Sequence, residues 1–130
     1  MKQILLVSLL LLLAACSRSS PNEKLVKALK SIKSWTATAQ MVGETWQQGS
    51  IPDMYAQQTL EKSQEEISKE TKGLTNPSLL QQLQPLQQTL QQMTEDVKQN
   101  HKKAIAASLQ KLAGEQQQLD AFAASQGKQP

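Results

Sequence analysis

Apolar side chains return at steps of three and four through almost the whole chain beyond residue 20, and no segment alternates with period two. That pattern predicts helices and no sheet. The first stripe is Leu25, Leu29, Ile32, Trp35 or Thr36, Ala39, Val42 and Trp46. Ser20-Pro21-Asn22-Glu23 precedes it as a capping box, with a hydroxyl for free amides, a proline suited to the first helical position and a glutamate that reaches back. Gly49 follows as a left-handed stop. At 1.5 Å per residue, about 27 residues make a rod of roughly 40 Å.

Three further helices are expected. Pro52 and Asp53 open the second, which ends at Gly73. Its stripe of Ala56, Leu60, Ile67 and Leu74 is sparse, which suggests an edge position, and Lys62–Glu66 and Glu65–Lys69 are spaced as surface ion pairs. Asn76-Pro77 starts the third, whose Leu79, Leu83, Leu86, Leu90, Met93 and Val97 form the clearest heptad run. Pro85 interrupts the hydrogen bonding but not the stripe, so a kinked helix is preferred to two separate ones. A break near Asn100 separates this run from Ile105, Leu109, Leu112, Gln116, Leu119 and Ala123, with Phe122 alongside. Short turns then give an all-α, antiparallel bundle of three to four helices. It occupies residues 21–124, and 125–130 read as a disordered tail.

The first twenty residues follow a different rule. Lys2 is followed by residues 4–13, in which only Ser8 interrupts Leu, Ile and Val, and then by Ala14, Ala15 and Cys16. This is the three-part layout of a secretory signal. The apolar run falls short of the ~20 residues that cross about 30 Å of hydrocarbon. Leu13-Ala14-Ala15-Cys16 resembles the lipobox of bacterial lipoproteins: an aliphatic residue, two small ones, and a cysteine that takes a diacylglycerol before cleavage. The resemblance covers residues 1–16 alone. It implies cleavage between Ala15 and Cys16, acylation of Cys16, a signal peptide over 1–15 and a lipidated tether over 16–20. Acylation also accounts for a lone cysteine in an exported chain, where an internal disulfide is unavailable to it. Among lipoproteins of diderm bacteria an aspartate after the cysteine goes with inner-membrane retention. Ser17 stands there instead, so the resemblance favours the outer membrane, facing the periplasm.

Composition and charge refine this picture. The net charge is +3, and the excess is concentrated beside the expected anchor, where Arg18, Lys24, Lys27, Lys30 and Lys33 face a single Glu23. Each such cation near an anionic bilayer adds about 1 kcal/mol of attraction, so these five are candidates for contact with the membrane surface. A solvated helix face is the plainer alternative. Nucleic acid fits poorly, because the basic run is short and carries no interleaved aromatics. Glutamine pairs such as Gln87-Gln88 alternate with leucines at helical spacing and act as uncharged surface helix formers.

Catalytic chemistry finds little material. His101 is the one histidine, beside Lys102 and Lys103, and it reads as an exposed residue near a helix end. Zinc sites and two-metal bundle sites need more ligands than this, no Gly-x-Ser-x-Gly turn occurs, and the adjacent carboxylates Glu65-Glu66 and Glu95-Asp96 point apart on a helix. No catalytic residue, metal or cofactor is therefore expected. Trp35 and Trp46 lie three helical turns apart on one face, with Tyr55 past the turn, and small residues at Ala37, Ala39 and Gly43 allow a neighbouring helix to approach. Two readings of the tryptophans remain open: an aromatic groove for a small apolar ligand, lipid or peptide, or bulk for a thin core. The functional expectation is a non-enzymatic lipoprotein held to a membrane by its acyl chains and working on an unknown envelope protein. A carrier or chaperone using the groove is the alternative. The sparse second stripe also leaves room for a homodimer that completes the core.

Overall fold

Four helices make up the regular structure of residues 21–127, the part of the chain described by the computed structural model. They are α1 (Pro21–Gln47), α2 (Asp53–Lys72), α3 (Pro77–Lys98) and α4 (Ala104–Gly127). Each packs on its neighbours in sequence and α4 closes onto α1, so the chain forms a four-helix up-and-down bundle. The expected Ser20 cap lies outside the described residues.

Local chemistry explains the turns. Beyond α1, Gly49 has φ 78°, its N–H reaches the Trp46 carbonyl at 2.9 Å, and the Ser50 N–H reaches that of Thr45 at 3.0 Å. This is a Schellman stop, which a glycine makes without steric cost. Asn100 builds the same device after α3, with φ 58°, its own N–H on the Val97 carbonyl at 3.1 Å and the His101 N–H on that of Asp96 at 2.7 Å. The break is where the sequence places it, but Asn100 ends one helix rather than capping the next. Gly73 closes α2 in right-handed geometry (φ −86°). Pro52 is the residue before α2 rather than its first, and Asn76 caps α3 by accepting from the Leu79 N–H at 3.1 Å.

α3 runs unbroken through Pro85. Both Pro85 and Gln81, whose carbonyl loses its partner there, are exposed, so water can satisfy the freed group. α4 continues to Gly127, three residues beyond the end expected from its stripe.

The core joins Leu29, Ile32 and Trp46 of α1 to Leu60 and Ile67 of α2, the α3 heptad run, and Ile105, Leu112 and Leu119 of α4. α2 does not sit at an edge, since it packs against both α1 and α3. The gap in its stripe is filled by Ser63, fully buried, whose hydroxyl donates to the Thr59 carbonyl at 2.9 Å. Thr36 and Thr94 use the same four-residue back-bond to occupy core positions. A hydroxyl satisfied within its own helix can replace an apolar side chain without leaving a buried donor bare. The sparse stripe is thus covered within a single chain.

The two ends of the bundle are built differently. At one end the helices are flush: the Gln47 side chain donates to the Lys102 carbonyl at 3.3 Å, and Trp46 Nε1 donates to Asp53 Oδ1 at 2.7 Å. α1 and α4 have 27 and 24 residues against 20 and 22 in α2 and α3. The excess falls at the other end, where the chain enters α1.

Candidate functional site

The seven residues singled out for membrane contact or anchoring divide by where they lie. Ala15, Cys16 and Arg18 are outside the described residues. Lys24, Lys27 and Lys30 are exposed on the first turns of α1 and form no ion pair among the described residues. Steps of three rotate each lysine about 60° from the last, so the series winds across the outer half of the helix. Lys33, the next step, has turned far enough to meet α4, where its Nζ lies 2.8 Å from Asp120 Oδ1. Its charge is committed to clasping α1 to α4, which separates it from the other three.

Val26 sits among these lysines and is 49% exposed. It borders a hollow of about 280 Å³ between α1 and α4, lined also by Leu29, Lys30, Lys33, Ala123 and Gln126. A second hollow of about 280 Å³ lies between α1 and α2, bounded by Lys24, Lys27, Ala28, Glu70, Gly73 and Leu74. Both follow from the overhang: with fewer helices beside them, Leu25, Leu74, Phe122 and Ala123 are only partly buried. The result is a corner of apolar surface rimmed by cations at the chain's point of entrance. Sequence reasoning missed Val26 and Asp120. The signal for Val26 is an apolar residue out of phase with its stripe, whereas the Asp120 pairing depends on helix register.

The three rings of the proposed groove are not brought onto one surface. Trp46 is fully buried and its indole N–H is satisfied by Asp53. Lys102 Nζ lies 5.4 Å from its ring centroid, within cation–π range. Trp35 is half-buried against the core, and Tyr55 is 56% exposed at the start of α2. Trp46 fills the core, and none of the hollows described here is lined by any of the three. Gly43 belongs to the same packing: a Cβ there would come within 2.8 Å of Leu109 Cδ2 and Met93 Cε.

A polar contact crosses the α3–α4 interface. Thr89 Oγ1 lies 2.6 Å from Glu115 Oε1 and 3.0 Å from the Pro85 carbonyl, while Glu115 Oε2 is buried without a partner. One hydroxyl hydrogen cannot serve both acceptors. Burial raises the Glu115 pKa above its ordinary value, against the opposing effects of the Thr89 hydrogen bond and of Lys111. A protonated Glu115 can donate to Thr89, which then donates to Pro85, and the conflict disappears. Nearby on α3, Asp96 is buried and accepts from Gln92 Nε2 at 3.0 Å and from Ser108 Oγ at 3.4 Å.

A third hollow, between α2 and α3, is lined by Gln64, Ser68, Gln84, Gln87, Gln88 and Gln91. Its amides are partly spent on the fold, with Gln64 on Thr94 and on the Leu90 carbonyl, and Gln87 on Thr71. His101 is exposed at the α3–α4 turn. Among the described residues, no group of three His, Cys, Asp or Glu side chains is placed to hold a metal ion, and no helix is long and apolar enough to cross a membrane. Compared with models of protein families, with curated proteins and with solved structures, the chain finds no match.

Proposed function

We propose that this protein is an extracytoplasmic lipoprotein whose helical bundle acts, without catalysis of its own, as an interaction or assembly accessory in the cell envelope. The observation that carries the reading is the run Leu13-Ala14-Ala15-Cys16 behind an apolar segment, with the first helix beginning at Pro21 a few residues later. An acylated Cys16 would place the bundle directly against the bilayer. At about 0.8 kcal/mol per buried CH2, two or three acyl chains make release negligible, and confinement near the membrane raises the effective concentration for neighbouring proteins. Ser17 directs the proposal to the outer membrane of a diderm cell. A core filled by Trp46 supports an interaction role over a carrier role.

Metabolic labelling with a fatty acid, comparing the wild type with Cys16→Ser, tests the anchor. Label is expected in the wild type and absent from the variant, and equal incorporation in both overturns the proposal. Crosslinking in intact cells then identifies the neighbours.

A further inference from the structure

We infer that the corner formed by Lys24, Lys27, Lys30 and Val26 docks on the anionic phospholipid face of the bilayer, so that the anchored bundle is held against the membrane in one orientation. This rests on the anchoring proposed above and adds to it a specific contact surface. Three observations converge on that corner. Its lysines are exposed and form no ion pair among the described residues, whereas Lys33, Lys62, Lys69 and Lys98 all do. Val26 stands 49% exposed between them beside an apolar hollow that reaches Ala123 of α4. The chain joins the bundle here, with Cys16 five residues before Pro21, and five extended residues span no more than about 18 Å. The anchor would therefore hold this end of the bundle, and the corner on it, within reach of the headgroups.

The chemistry fits a charged lipid surface. Lysine ammonium groups pair with phosphate while their aliphatic stems and Val26 settle at the boundary with the acyl chains, as on an interfacial amphipathic helix. Each lysine near an anionic surface changes its partition by roughly fivefold, which is too little to hold a free protein but enough to orient a tethered one. The contact weakens with salt, since the screening length falls from about 10 Å at 0.1 M to about 3 Å at 1 M.

A test uses the acylated chain carrying Val26→Cys, whose thiol takes an environment-sensitive fluorophore because Cys16 is blocked by its lipid. The protein is reconstituted in vesicles of phosphatidylcholine alone or with added phosphatidylglycerol, alongside a control label at Gln58 on the exposed surface of α2. The expected result is a blue shift and loss of iodide quenching at position 26 in anionic vesicles only. Both should reverse in 1 M salt or with Lys24, Lys27 and Lys30 all changed to glutamine, with no change at position 58. An aqueous label at position 26 in both vesicles overturns the docking while leaving the anchor standing. Equal burial in both vesicles overturns it in favour of the protein's own acyl chain in the hollow, and burial that rises with protein density whatever the lipid indicates a second copy. A labelled chain that fails to stay on vesicles at all marks failure of the anchor.

Discussion

The end of the bundle holding Trp46 and the end holding Val26 are made from the same kinds of helix, yet they are closed to different degrees. Around Trp46 the helices end flush, two Schellman stops turn the chain, and Val42, Ala56, Met93, Val97 and Ile105 are buried. Around Val26, α1 and α4 overrun their partners, apolar side chains are half-covered, and Lys24, Lys27 and Lys30 form no ion pair among the described residues. The lesson is that helix length, rather than composition, decides where a thin core is sealed. The overhang leaves Val26 exposed and Leu25, Leu74 and Phe122 half-covered at the end where the anchor would hold the protein, while Met54 and Tyr55 are exposed at the opposite end.

The sharpest way to break the contrast is to open the closed end. Trp46→Ala removes the largest buried side chain and leaves Asp53 without its donor, so a loss of about 3–5 kcal/mol is expected in urea unfolding. Gly43→Leu is expected to cost about 1–3 kcal/mol by overpacking against Leu109 and Met93. A neutral result would show that the α1–α4 approach is looser than the 2.8 Å clearance implies.

Glu115→Gln should act in the opposite direction. Burial raises the folded-state pKa of Glu115, so the folded state binds its proton at higher pH than the unfolded chain does. The resulting destabilisation is present above the folded pKa and is removed as pH falls towards the ordinary carboxylate range. Replacing the carboxylate by an amide is therefore expected to raise stability at pH 7, with the advantage over the wild type vanishing on acidification. Glu66 has the reverse sign, because Lys62 first and Lys69 next hold its carboxyl below the ordinary value. Both proteins share that pair, so it cancels from the difference. Melting curves at neutral and acid pH check the sign.

The smallest effect belongs to the open end. Val26→Ser combined with glutamine at 24, 27 and 30 is expected to leave stability within about 0.5 kcal/mol of the wild type. A large loss would mean that this corner is part of the fold and not a surface kept free for contact.

Much of this architecture is legible in the residues. The four stripes, the stops at Gly49 and Asn100 and the start at Asn76 come through because caps and turns are local chemistry, and the α3 heptad run shows plainly where that helix faces inward. What escapes is whatever depends on how a polar side chain is satisfied or on the register between helices. Ser63 and Thr94 look polar in any hydropathy profile, and back-bonds within their own helices let them serve as core residues, whereas Thr36 already stands in the α1 stripe as the alternative to Trp35. Lys33 reads like the three lysines before it until Asp120 appears across the α1–α4 interface, and Val26 becomes conspicuous only when its neighbours prove to be missing. The two tryptophans are identical as letters, but one is sealed inside and the other half-covered.

An even number of antiparallel helices brings the start of α1 and the finish of α4 to one pole and sends the 48–52 and 99–103 turns to the other. Under the proposed anchoring those turns point away from the bilayer, lifted by a spacer of roughly 40 Å. The outward-facing pole then presents Tyr55, Met54, His101, Lys102 and Lys103 to whatever crosses the envelope. A reporter inserted in either turn would sample that space, whereas one fused after α4 would be pressed back towards the lipid.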